Sequence, residues 1–133
     1  MGVWDEEHAR QRAAIDKPRL ERLRKIAKKF PETSEHDRFG GVWFKAGKRV
    51  FLTFHASGHN PDDDHLWAIS FATSRDDQEA LCHGDLFYPT PYMHQHGWTS
   101  MKADKPDWGL VEELADTAYR RVALGRMLKK LNG

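Results

Sequence analysis

The run VWFKAGKRVFLTFHA constrains what this chain can fold into more than any other segment. Two stretches of β-branched and aromatic residues flank Ala46, Gly47 and Lys48, the pattern of a β-hairpin closed by a tight turn. In the second stretch Val50, Leu52 and Phe54 fall on one side of a strand and Phe51, Thr53 and His55 on the other. HLWAISFAT reads as a third strand, with Leu66, Ala68, Ser70 and Ala72 on one side and the bulky Trp67, Ile69 and Phe71 turned to the core. An antiparallel sheet with one apolar face needs a covering layer, and the flanking segments supply it.

In DKPRLERLRKIAKKF, Leu20, Leu23, Ile26, Ala27 and Phe30 recur at helical spacing and form one apolar stripe. Pro18 fits a first turn with Asp16 as its cap, and Pro31 stops the helix. PETSEHDRFGG reads as a loop, and SGHNPDDDH as a polar turn. Thr73 and Ser74, three residues before Asp76 and Asp77, cap a short helix that Gly84 ends. LFYPTPYMHQHGWTSMKAD reads as an extended loop followed by a strand from about Gly97 to Lys102. Asp104 and Pro106 then open one long closing helix, with Trp108, Val111, Leu114, Ala115, Ala118, Val122 and Leu128 on its apolar side. The order predicts an α+β fold: an antiparallel sheet of about four to five strands, N- and C-terminal helices on one face, and a short helix between strands. Residues 1–15 read as an N-terminal extension with few apolar side chains, and 16–133 as a single domain.

Composition narrows the function classes. Acids and bases nearly cancel at a net charge of +1 over 133 residues, so no global field selects a polyanionic partner. The single cysteine, Cys82, excludes an intrachain disulfide and a cysteine zinc cluster, which fits a reducing cytoplasm. The charged N-terminal stretch is unlike a signal peptide, and no apolar run is long enough for a membrane span. No nucleophile elbow, zinc-protease helix or phosphate-binding glycine loop occurs, so neither an enzymatic reaction nor a cofactor is expected.

FPETSEHDRFG after the first helix, FKAGKRVFLTF, the histidine-rich segment ending in HGWTSM, and LVEELADTAYRRVALGRMLKKL together resemble the MmcQ/YjbR-like family. The likeness spans roughly Leu20 to Leu131. It implies a small α+β domain of the CyaY-like, secretion-chaperone-related kind, commonly labelled DNA-binding, and it brings no catalytic residues. The family's Asn-Lys-x-His-Trp segment is answered here by His94, Gln95, His96, Gly97 and Trp98, without the lysine. Its closing phrase is answered by Ala118, Tyr119, Leu128, Lys129 and Lys130.

Three sets of residues carry candidate chemistry. His94 and His96, two apart, would point the same way from an extended strand and could share a divalent metal. With Tyr92 and Trp98 they outline a small-ligand or metal pocket, although no third donor stands at ligand spacing; the plainer reading has one histidine bonded to a carbonyl or packed under Trp98. Cys82, beside His83, reads as a small buried hydrophobe, and the acidic run at Asp62, Asp63 and Asp64 as a solvated turn.

The basic residues form the third set. From Lys17 to Lys29 there are seven cations against one acid, Glu21, and no acid follows Asp116. Arg22, Lys25, Lys28 and Lys29 on the first helix, Lys48 and Arg49 at the hairpin tip, and Arg120, Arg121, Lys129 and Lys130 at the end would form one patch if both helices cover the same sheet face. Such a patch suits weak, non-specific DNA contact. A protein-interaction or chaperone-like module is the alternative, from fold analogy alone.

Overall fold

The computed structural model describes residues 17–38, 41–56 and 65–132. The N-terminal extension, Asp16 and the Asp62–Asp64 run lie outside the described residues. Helix α1 (Lys17–Lys28) leads into strands β1 (Thr33–Arg38), β2 (Gly41–Ala46), β3 (Arg49–Ala56) and β4 (Trp67–Ala72). Helix α2 (Arg75–Leu81), strand β5 (Phe87–Pro89), a 3-10 turn (His94–His96) and strand β6 (Trp98–Lys102) follow. Helices α3 (Trp108–Val122) and α4 (Gly125–Asn132) close the fold. Among the described residues no helix is long and apolar enough to cross a membrane.

The sheet is antiparallel throughout, with six strands in the order β1-β2-β3-β4-β6-β5. Two of these exceed the sequence expectation. TSEHDR, read as a loop, forms β1 along the whole of β2; as an edge strand with no buried residue it carries no alternating apolar pattern. β5 is three residues long and ends in Pro89, which an edge strand tolerates.

Val42, Phe44, Leu52, Phe54, Trp67, Ile69, Phe71, Met101 and Phe87 lie opposite one another on the face that α1 and α3 cover. Phe54 and Trp67 stack at 5.1 Å. A bulge at Phe44/Lys45 releases Phe51 from the alternation, so its ring meets Phe30 and Tyr119 edge-on at 6.0 and 5.5 Å. Phe30 stacks on Tyr119 at 4.7 Å, and the Tyr119 hydroxyl, its pKa pushed up by burial, donates to the Pro31 carbonyl at 2.7 Å. This ring cluster locks the end of α1 to the end of α3.

The other sheet face is buried as well. Ala68, Ser70 and Ala72 are covered, as are Thr53 and Ser100, so β4 is buried on both sides. Ser70 and Ser100 bond each other and the neighbouring His55 and Thr90, which offsets the cost of burying them.

The closing helix is not continuous. Ala123 adopts an extended conformation (ψ 148°) and its N–H bonds the Tyr119 carbonyl, ending α3 before α4 begins. Gly125 would weaken a continuous helix at this point. The break instead lets α4 turn back, and Met127 is buried against Gly47 at the hairpin tip. Asp107, not Asp104, caps α3 by accepting from Leu110 N. Asp104 serves β4: its carboxylate accepts from Leu66 N and Trp67 N at 2.9–3.0 Å.

Candidate functional site

The backbone separates the two histidines of the predicted pair. His94 and His96 lie on a 3-10 turn, not a strand, so residues two apart point in well-separated directions. Both are exposed, and their imidazoles make no hydrogen bond among the described residues. No bond from either ring to a carbonyl occurs among the described residues. No group of three or more metal-binding side chains occurs among the described residues.

Backbone contacts hold this segment instead. Gln78 Nε2 donates to the carbonyls of His94 and Trp98 at 3.0 and 2.8 Å, and Arg75 donates to that of Gln95 at 3.3 Å. Gly97 sits at φ +87°, and a Cβ there would lie 2.2 Å from the Thr73 carbonyl oxygen. Only glycine permits that approach. Trp98 is half-buried against the core, and Tyr92 is 91% exposed.

Cys82 and one buried hydrogen-bonded pair are the other chemical candidates among the described residues. Cys82 is half-buried in the turn after α2, and burial pushes its thiol pKa up, away from thiolate. A Ser-His pair that the sequence does not reveal joins β3 to β4: Ser70 Oγ lies 2.9 Å from His55 Nε2. His55 Nδ1–H donates to the Ala56 carbonyl at 3.3 Å, so Nε2 is the acceptor. Ser100 and Thr90 hydroxyls extend the chain at 2.8 Å each. Ser70 is 1% exposed, which makes this a buried hydrogen-bond chain and not an open nucleophile. Strand register, not sequence proximity, assembles it.

The ten basic candidates divide. Arg22 lies over the Trp108 ring at 5.4 Å and lines a cleft of about 350 Å³ with Pro18, Arg19, Asp104, Pro106 and Trp108. This cleft is where α3 starts, remote from the hairpin tip. Lys29 pairs with Glu112 (3.2 Å), Arg120 with Asp116 (2.9 Å) and Lys130 with Glu32 (3.3 Å). Lys25, Lys28, Lys48, Arg49, Arg121 and Lys129 make no ion pair among the described residues. Arg24, outside the predicted set, is clamped by Glu35 through two bonds of 2.6 and 2.7 Å, which raise its pKa further and tie α1 to β1.

Four of the ten, Lys48, Arg49, Lys129 and Lys130, lie on segments that meet at one corner, together with Arg126. Gly47 N donates to the Glu32 carbonyl at 3.0 Å, while Met127 packs 3.6 Å from the Cβ position of Gly47. Glu32, in a left-handed conformation at φ 57°, receives Arg126 at 2.9 Å and Lys130 at 3.3 Å. These two bonds hold its carboxyl below the usual carboxylate range. The turn after α1, the β2–β3 tip and α4 thus converge: Arg126 and Lys130 bond Glu32, Lys48 and Arg49 stand on the adjoining tip, and Lys129 is on the same helix as Arg126 and Lys130. The hinge at Ala123 creates this grouping, and an unbroken helix would carry Lys129 and Lys130 away from the tip.

Among comparisons with known proteins, a family model described as YjbR matches residues 28–121, from the end of α1 to the last turn of α3. Helix α4 lies beyond the matched span. No curated protein matches the chain.

Proposed function

The chain belongs to the YjbR family, and on that premise we propose that it is a small non-enzymatic binding domain that contacts DNA weakly and without sequence selection. The contact surface is the corner where Lys48 and Arg49 meet Arg126, Lys129 and Lys130. The observation that carries this reading is the packing of Met127 on Gly47, which brings α4, with Arg126, Lys129 and Lys130, beside the hairpin tip that carries Lys48 and Arg49, while Glu32 bonds two of the five. Local excess charge of this kind attracts phosphate even where the net charge is near zero. Lys29 and Arg120 pair with Glu112 and Asp116, and Arg126 and Lys130 share Glu32, so Lys48, Arg49 and Lys129 are the cations of this corner that make no ion pair among the described residues.

Fluorescence anisotropy with a random-sequence duplex at two salt concentrations tests the reading. Affinity falls as salt rises, with a log–log slope of about −0.9 per phosphate contact. The double variant Lys48→Ala/Arg49→Ala weakens binding and reduces that slope by about 2. Affinity no better than millimolar at low salt overturns the proposal. A salt-insensitive dimer that co-purifies with protein and no nucleic acid favours the protein-interaction alternative.

A further inference from the structure

We infer that Tyr92 is a base-stacking residue at the same end of the sheet as the cationic corner, and that this end takes single-stranded nucleic acid in preference to duplex. The inference deepens the nucleic-acid reading and rests on it.

Strand register sets the geometry. Ala46 pairs with Arg49 at the hairpin tip, Leu52 with Phe71 near the end of β4, Ala72 with Trp98 at the start of β6, and Pro89 with Thr99. The β2–β3 tip, the β4–α2 connection and the β5–β6 connection therefore leave the sheet at one end. In the order β2-β3-β4-β6-β5 the tip and the Tyr92 connection are three strand spacings apart. At ~4.8 Å per spacing that is roughly 14 Å. It matches about four nucleotides at the ~3.4 Å stacked rise of one strand.

Tyr92 itself is costly. Its φ of +67° is a left-handed conformation for a bulky side chain, and the ring, 91% exposed, buries almost nothing in return. Such conformations are strained and persist where surrounding structure enforces them. Here Met93 N bonds the Thr90 carbonyl at 3.2 Å and Thr90 N the Trp98 carbonyl at 3.0 Å, closing the turn on both sides of the residue. Gln78 and Arg75, from α2, hold the carbonyls of His94, Gln95 and Trp98 that follow. The ring is thus presented to solvent by a braced turn.

A braced, exposed aromatic ring offers a π-face to an unpaired base, and Lys48 and Arg49 offer charge to the backbone that follows it. A duplex base is already stacked and paired, and extracting it carries a cost that an unpaired base does not. Asp76 and Asp77, on the first turn of α2 beside Arg75, disfavour a second phosphate backbone along the rim.

The test is anisotropy with a labelled short pyrimidine-rich single strand and with the same sequence as duplex, at low salt, for the wild type, Tyr92→Ala and Tyr92→Trp. Because the side chain is exposed, neither substitution removes core packing, and urea midpoints verify this. The wild type binds the single strand more tightly. Tyr92→Ala loses roughly 5- to 150-fold on the single strand, the value of one base stacked on an aromatic ring. Tyr92→Trp retains the affinity, and duplex binding is unchanged in both. Equal single-strand affinity of wild type and Tyr92→Ala, or a wild-type preference for duplex, overturns the inference and leaves the electrostatic reading standing. Failure to bind either probe removes both.

Discussion

Gly97 and Thr73 lie in such close contact that a Cβ at Gly97 would stand 2.2 Å from the Thr73 carbonyl oxygen. The Thr73 hydroxyl returns the contact by donating to the Gly97 carbonyl. This pairing fixes where β6 begins relative to α2. Gly97→Ala adds both a clash with backbone and a left-handed strain at φ +87°. The expected loss is about 2–4 kcal/mol, read as a lower urea midpoint at unchanged m-value.

The neighbouring histidines give the opposite result. Exposed and unbonded on a 3-10 turn, His94→Ala and His96→Ala leave stability within about 0.5 kcal/mol. Adding zinc to the wild type leaves the melting temperature unchanged; a saturable rise abolished by either substitution would restore the metal reading.

Met127→Ala tests the docking of α4. Its side chain is fully buried on the hairpin tip, and truncation costs about 2–5 kcal/mol. If α4 carries the cationic corner, the same variant also lowers duplex affinity and its salt dependence. A stability loss with unchanged binding would separate the helix from the interface.

Glu32 imposes a pH dependence. Its folded pKa lies below its ordinary value because Arg126 and Lys130 bond the carboxylate. Its stabilisation is therefore complete above the unfolded carboxylate range, near pH 4.3, and lost as pH falls through the lower folded value. Glu32→Gln is accordingly less stable than the wild type at neutral pH, and the gap shrinks once the pH falls below the unfolded carboxylate range. The gap, belonging to an exposed pair, narrows in high salt. Urea titrations at neutral pH and below that range check the sign.

Asp104→Ala removes the acceptor for Leu66 N and Trp67 N at the start of β4. Leaving partly buried donors without a partner costs about 1–3 kcal/mol. Hydrogen exchange rises at these two amides, while Asp104→Asn, which keeps one carbonyl oxygen, recovers part of the loss.

Much of this architecture is legible in the sequence because periodicity records which side chains meet a core. The stripe from Leu20 to Phe30, the alternation of β4 and the apolar side of α3 all lie over one buried face, and each was readable in advance. β1 was not, since TSEHDR sits at an edge with no buried face and so has no pattern to show. The alternation of β3 was only half informative: the bulge sends Phe51 to the rings of Phe30 and Tyr119, against the simple two-sided count. The break at Ala123 was hidden because residues on both sides of it continue a helical period.

The sequence by itself determined the fold class, the positions of the main helices and central strands, and the excess of basic residues near both ends of the domain. Only the tertiary structure decided which of those charges act together. Lys29, Arg120 and Lys130 meet acids, Arg22 turns to Trp108, and Lys48 and Arg49 are brought to α4 by one methionine docking on one glycine. It likewise dispersed His94 and His96 while joining His55 to Ser70 across two strands. Local sequence records how each segment meets the core, but a site is assembled from segments far apart in the chain, and their mutual placement depends on register, bulges and helix ends that composition and period do not encode.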